Sequence, residues 1–200
     1  MPHHRHPHRR AAAVALLTPL TLLVGLSAAP VARPQAAAAD ASAAAPAYCG
    51  ATLAADEVLR RVNAVRARGA VCGSAGPAVA AGTLHWSAGL ATVAAAQAES
   101  MAARRKMSHR DAQDRGLTAR LAAHGYRFNS AVENVAVGYS SIDAVVDAWL
   151  VSETHCVNLM KPAAIELGLA CSDATPDGEA EVARYWDLVL ANPLAGPAAR

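Results

Sequence analysis

Residues 131–137 place an acid inside an apolar alternating pattern, and this feature constrains the fold most. Side chains of a β-strand point to opposite faces in turn, so Glu133 shares a face with Val135 and Val137. A carboxylate among inward-facing apolar residues is costly to bury without a partner. The pattern therefore predicts a strand whose acid is paired with another group in the folded chain.

A helix with polar residues at its end follows this strand. Ser141 is suited to cap the helix, and the apolar stripe that follows has helical spacing and includes Trp149. Ser152, His155 and Asn158 come at the end of this helix. The stripe predicts that Trp149 is buried, and His155 is expected just beyond the helix end, where its side chain can turn toward a neighbouring layer.

The other segments alternate between helical and extended patterns. His109 lies just beyond the second predicted helix, where a side chain can turn toward a neighbouring layer. Apolar spacing predicts helices over residues 52–68, 87–106 and 117–124, and strands over residues 165–170 and 182–190.

The first 47 residues have the composition of an export signal and a linker. A basic start, an apolar stretch and small residues at its end are typical of a secretory signal peptide over residues 1–29, with cleavage as late as residue 39. Residues 30–47 are rich in Ala and Pro and predict a linker. Residues 48–200 are then sufficient for a single domain with its own core.

The charge balance changes once the signal is removed. The whole chain has 18 basic and 16 acidic residues, but four bases (Arg5, Arg9, Arg10 and Arg33) and no acid precede Asp40. A chain that begins at Asp40 therefore has 14 bases against 16 acids. This balance gives no electrostatic support for a nucleic-acid partner. We also expect no membrane span after cleavage, and a monomer.

Four cysteines lie in the exported part: Cys49, Cys72, Cys156 and Cys171. An even number in an oxidising compartment predicts two disulfides, for which three pairings are possible. Sequence proximity favours Cys49–Cys72 and Cys156–Cys171. Zinc binding by these cysteines is not expected, because the sequence has no C-x-x-C pair.

Seven short motifs occur in a fixed order between about residues 53 and 193. They are V-N-A-V-R, L-H-W-S-A-G-L, M-S-H, E-N-V-A-V-G, W-L-V-S-E-T-H-C-V-N-L, I-E-L-G-L-A and Y-W. Together they resemble the bacterial branch of the CAP superfamily, also called SCP-like, of cysteine-rich secretory, antigen five and pathogenesis-related proteins. The resemblance implies an α+β fold, a three-layer α-β-α sandwich with a small antiparallel sheet.

The resemblance also implies a cleft lined by His109, Glu133 and His155. Ser152 occupies the position where the animal and plant branches have a further Glu, so the complete four-residue set of those branches is not present. Val132 stands where the family usually has Gly. Ser152 and Asn158 are expected among the ligand-binding residues of the same cleft.

Some family members bind zinc or another divalent ion through the two histidines. Two imidazoles and one carboxylate, here His109, His155 and Glu133, are a chemically sensible donor set for zinc. Glu133 can instead act as a hydrogen-bonding partner that orients an imidazole. Both roles are open at the level of the sequence.

The most favoured function is a secreted, non-enzymatic binding module for a lipid, a cell-wall component or a protein, in the periplasm or outside the cell. A metal- or serine-dependent hydrolase is one alternative, although the sequence contains neither G-x-S-x-G nor H-E-x-x-H. A purely structural exported domain is the other. Catalytic residues are not assigned, and enzymatic activity is the less favoured interpretation.

Overall fold

The computed structural model describes residues 53–174 and 182–194. All of these residues belong to one compact unit of the chain, Ala43–Arg200. The predicted signal peptide, the predicted linker and Cys49 lie outside the described residues. Within the described ranges, no helix has the length and apolar character needed to cross a membrane.

Five helices and six strands make up the described part of the domain. In chain order they are α1 (Ala55–Arg68), β1 (Ala70–Val71), β2 (Pro77–Ala78), β3 (His85–Trp86), α2 (Ala88–Arg104), α3 (Leu117–Ala123), β4 (Phe128–Val137), α4 (Ile142–Val151), α5 (Glu153–Leu159), β5 (Glu166–Ala174) and β6 (Ala183–Pro193). A short 3-10 turn, Gly73–Ala75, lies between β1 and β2.

The central sheet has four strands in the order β3-β5-β6-β4. The long strands β4, β5 and β6 pair in antiparallel fashion, whereas the two-residue strand β3 pairs in parallel with β5. The α+β class is confirmed, and the sheet is mixed rather than wholly antiparallel. The parallel edge arises because the chain between β3 and β5 includes helices, which allow the crossover that parallel strands require.

Helices cover both faces of this sheet. Trp186 and Leu188 belong to a core cluster with residues of α1, α4 and α5, whereas Val189 packs with residues of α2 and α3. At Gly168 in β5, an added Cβ would lie 2.1 Å from the Ala91 backbone nitrogen of α2. Only glycine permits this close approach. It brings α2 directly onto the sheet, opposite the layer that contains α5.

The predicted helix after β4 is in fact two helices. Ser152 is extended, with φ −95° and ψ 118°, and it separates α4 from α5. His155 was expected beyond a helix end, but this prediction is wrong because His155 lies inside α5. The cap is confirmed, since the Ser141 hydroxyl accepts a hydrogen bond from the Ala144 amide at 3.1 Å.

The predicted cysteine pairing is also wrong. Cys72 is bonded to Cys156, with 5.4 Å between the Cα atoms and a sequence separation of 84 residues. Cys171 is disulfide-bonded as well. Proximity in sequence failed as a guide because the fold packs the turn after β1 against α5. The same contact is seen where the Ser74 amide donates to Glu153 Oε2 at 2.8 Å.

Candidate functional site

Glu133 is the centre of the site and lies on β4, on the sheet face covered by α2 and α3. Its side chain is only 3% exposed. Oε2 lies 2.7 Å from His109 Nδ1, and Oε1 accepts a hydrogen bond from Arg120 Nη2. The carboxylate thus has the partners that its position on an apolar strand face requires.

His109 is held by Glu133 through Nδ1, while much of its imidazole ring is exposed to solvent. Its side chain is 59% exposed, although Nδ1 is bound to Glu133. The hydrogen bond to this carboxylate raises the pKa of His109, and partial burial opposes the change. Since Glu133 accepts a hydrogen bond, the proton of the neutral imidazole belongs on Nδ1. Nε2 then keeps its lone pair and can accept a hydrogen bond from a ligand.

His155 lies on α5, half-buried, close enough to His109 for their charges to interact. Burial lowers the pKa of His155, and the positive charge of His109 lowers it further. The His155 carbonyl accepts a hydrogen bond from Asn134 Nδ2 at 3.0 Å. This backbone contact ties α5 to β4, so the position of the second imidazole depends on the strand that carries Glu133.

Asn158 of α5 forms further hydrogen bonds between this helix and β4. Its Nδ2 donates to the Glu133 carbonyl at 3.1 Å and to Asn134 Oδ1 at 2.9 Å. The side chain is therefore bonded to β4 through its Nδ2. Asn158 was predicted as a ligand-binding residue of the cleft; this stays a prediction, and these contacts position α5 against the strand.

A pocket of about 270 Å3 opens beside His155. Ser152 and His155 supply polar groups, and Trp149 forms part of an apolar wall. Met107 and Tyr139 at the pocket are partly exposed to solvent. The full lining consists of Met107, Val135, Ala136, Val137, Tyr139, Ala148, Trp149, Ser152 and His155.

The sequence of the domain matches a known family model. Residues 59–186 match the model of the cysteine-rich secretory protein family, CAP. This chain belongs to the CAP family. The motif order that resembled CAP proteins is thereby confirmed. None of the curated proteins matches the chain.

Solved structures of bacterial proteins share the fold of this CAP domain. An extracellular protein containing an SCP domain from Bacillus anthracis aligns with TM-score 0.53 and 23% identity, over 68% of this chain and 39% of that one. An outer surface protein from Borrelia burgdorferi aligns with TM-score 0.54 and 18% identity, over 69% of this chain and 94% of that one. This chain thus matches less than half of the Bacillus protein.

The predicted three-donor metal site does not fit the hydrogen bonds of this CAP domain. Both oxygens of Glu133 are already engaged, by His109 and by Arg120. Within residues 53–174 and 182–194, no group of three or more His, Cys, Asp or Glu side chains is arranged to hold an ion. The contacts of Glu133 are those of a carboxylate that orients His109, the second of the two roles open from the sequence, and metal binding by the histidines stays a prediction.

Two further buried polar residues support the site and were not predicted as part of it. Gln97 of α2 donates from Nε2 to the Ser108 carbonyl at 2.5 Å, which holds the segment that leads into His109. Asp187 of β6 is completely buried near Arg120. A signal for Asp187 was present, because it is an acid within the apolar run Y-W-D-L-V-L.

Proposed function

We propose that this CAP domain is an exported binding module whose cleft holds a ligand with both an apolar part and hydrogen-bonding groups. The observation that carries the proposal is the pairing of His109 with Glu133. This pairing orients an exposed imidazole close to His155, which lines a pocket whose wall is largely apolar. Such a combination of an apolar lining with a few oriented polar groups is typical of small-molecule sites.

Three observations support export. The two structural relatives are described as an extracellular and an outer surface protein. Disulfides such as Cys72–Cys156 persist in oxidising compartments. Residues 1–29 have the pattern of a secretory signal. The destination is therefore the periplasm or the medium, where a lipid, a cell-wall component or an exported protein is accessible.

Binding is favoured over hydrolysis by the contacts of the serines near the histidines. The Ser108 hydroxyl accepts a hydrogen bond from the Arg110 amide at 2.9 Å. Ser152 lines the same pocket as His155, but among the described residues no hydrogen bond joins the two side chains. Serine catalysis instead needs a hydroxyl within hydrogen-bonding distance of its base.

The proposal is tested by identifying what the secreted protein carries. The full chain is secreted, purified from the exported fraction and analysed by native mass spectrometry, with organic extraction of the bound material. We expect an adduct that is retained by the wild type and lost in Tyr139→Ala and His155→Ala. Val71→Ala is the matched control, because Val71 lies on β1, is 73% exposed and does not line the pocket.

A further variant, Val79→Asp, tests whether the ligand binds in the cleft or in a second groove on the surface. Val79 lines an apolar groove between β2 and the end of α5, away from the two histidines. An adduct that survives both cleft variants but is lost in Val79→Asp would place the ligand in that groove and refute the proposed site. Folding of each variant is checked by circular dichroism, so that a lost adduct reports binding.

A further inference from the structure

Asp187 is a completely buried acid on β6. In the register of the sheet it lies opposite Val135 of β4 and Ala170 of β5, so its in-plane neighbours are apolar. It shares a sheet face with Val189, which packs against α2. Glu133 pairs with Val189, and it is therefore the diagonal neighbour of Asp187 on the same face.

The cluster has two buried carboxylates but one guanidinium. Arg120 is 3% exposed, and its Nη2 donates to Glu133. Its Nη1 lies 3.7 Å from Asp187 Oδ2, which is longer than a hydrogen bond. In the described part of the chain, no N–H group or hydroxyl donates to either oxygen of Asp187, and the side chain that it contacts through a hydrogen bond is the Glu133 carboxylate. Arg120 therefore forms a hydrogen-bonded ion pair with Glu133, whereas it interacts with Asp187 only through the longer-range attraction of their charges.

We propose that Asp187 is present as a neutral carboxylic acid in the folded protein at neutral pH, because Glu133 takes the guanidinium of Arg120. A buried charge persists only where it is paired and hydrogen-bonded. When two carboxylates compete for one cation in a dry site, the less well paired one keeps its proton. When Glu133 loses its charge, Asp187 is expected to ionise and to become the counterion of Arg120.

The surroundings of Asp187 support this assignment. Burial raises the pKa of Asp187 well above its usual range, the charge of Glu133 raises it further, and Arg120 opposes the change. The buried residues of α2, which covers this face, are uncharged. Glu133 from β4 and Arg120 from α3 are therefore the charged groups that act on Asp187 within the described residues.

The protonation state of Asp187 affects what the cleft presents to a ligand. With Asp187 neutral, the charges of Arg120 and Glu133 balance, and His109 needs no proton to compensate a buried negative charge. At a pH above the raised pKa of His109, the cleft then offers a neutral imidazole, which accepts a hydrogen bond through Nε2. An ionised Asp187 would favour the imidazolium and with it an anionic ligand.

Carboxyl carbon NMR tests the proposal on the full processed protein labelled at aspartate. The Asp187 resonance is identified by its absence in Asp187→Asn, which is nearly isosteric. Asp173 is an internal reference for an ionised aspartate, because Arg184 donates to both of its oxygens, at 2.7 and 2.9 Å. We expect the Asp187 signal at the position of a carboxylic acid at pH 7, and the Asp173 signal at that of a carboxylate.

Glu133→Gln provides the second half of the test. This variant frees Arg120, so the Asp187 resonance should move toward that of the Asp173 carboxylate at the same pH. Asp187→Asn should shift the pKa of His109 by less than about half a unit, since it removes no charge. An ionised Asp187 in the wild type, or an unchanged Asp187 signal in a folded Glu133→Gln variant, would overturn the proposal.

Discussion

The Cys72–Cys156 disulfide is expected to be a principal stabilising element of the layer that contains His155. It joins the turn after β1 to α5, the seven-residue helix that carries His155. A helix of this length is not stable on its own, so its tertiary attachments hold it in place. Cys72→Ala/Cys156→Ala removes the covalent attachment while the packing of two small apolar side chains is largely retained.

The magnitude follows from the length of chain that the disulfide closes. The two cysteines are 84 residues apart. In the loop-entropy picture, closing a loop of this length lowers the free energy of folding by about 4.5 kcal/mol. The disulfide at Cys171 already constrains the unfolded chain, which shortens the effective loop. We therefore expect a loss of about 3 to 4.5 kcal/mol in the free energy of unfolding.

Urea unfolding monitored by tryptophan fluorescence measures this loss, with the slope of the transition used to detect changes in the unfolded state. The single variants Cys72→Ala and Cys156→Ala are the matched controls. Each lacks the cross-link but keeps one native side chain, so the difference between single and double variants reports packing alone. Non-reducing peptide mapping confirms the remaining disulfide in each protein.

Two results would contradict this reasoning. A loss below about 1 kcal/mol with an unchanged slope would show that the cross-link constrains neither the unfolded chain nor α5. A large loss seen only in the double variant would assign the effect to packing. If α5 depends on the disulfide, the resonances of His155 should also broaden or shift in the double variant, whereas those of His109 change less.

Three further predictions concern the core and the two histidines. Trp149→Ala should lower the free energy of unfolding by about 3–5 kcal/mol, since Trp149 is 1% exposed and its Nε1 donates to the Val135 carbonyl; a loss below about 1 kcal/mol in urea unfolding would contradict this burial. Arg66→Met should cost about 3–5 kcal/mol in the same assay, because the buried guanidinium donates to the backbone carbonyl of Gly82 and to three carbonyls at and just beyond the end of α5, which the variant leaves without this donor. The raised pKa of His109 adds stability that is complete below the unfolded value of about 6.5 and is lost as the pH rises through the folded value. His109→Ala should therefore cost more at pH 6 than at pH 8, by less than about 1 kcal/mol because the ring is exposed, and equal costs would contradict the pairing with Glu133.

Elements with a clear apolar period were predictable from the sequence. The segments predicted as residues 52–68 and 87–106 fold as α1 and α2, with ends that differ by at most three residues. The burial of Trp149 was also predictable, because it lies on the apolar stripe of α4. In each case one face of a regular element packs against the rest of the core, and periodicity records this local preference.

The break between α4 and α5 had no such signal. Ser152 and Glu153 are compatible with a continuing helix, and the sequence around them contains no Gly or Pro. The interruption arises from tertiary contacts, since Glu153 bonds to the turn after β1 and Cys156 is bonded to Cys72. The pairing of the cysteines was missed for the same reason, because both contacts join segments that are far apart in the chain.

Glu133 and Asp187 show most clearly where sequence reasoning ends. Each is an acid in an apolar strand, and the same rule predicts for each that a partner must exist. The rule does not say whether the two acids have separate partners or must share one. Only the fold places both carboxylates on one face of the sheet beside a single arginine, and only the contacts show which of them it serves. The two acids therefore receive different charge states from one local pattern, and the less well paired acid influences the ligand that the cleft accepts.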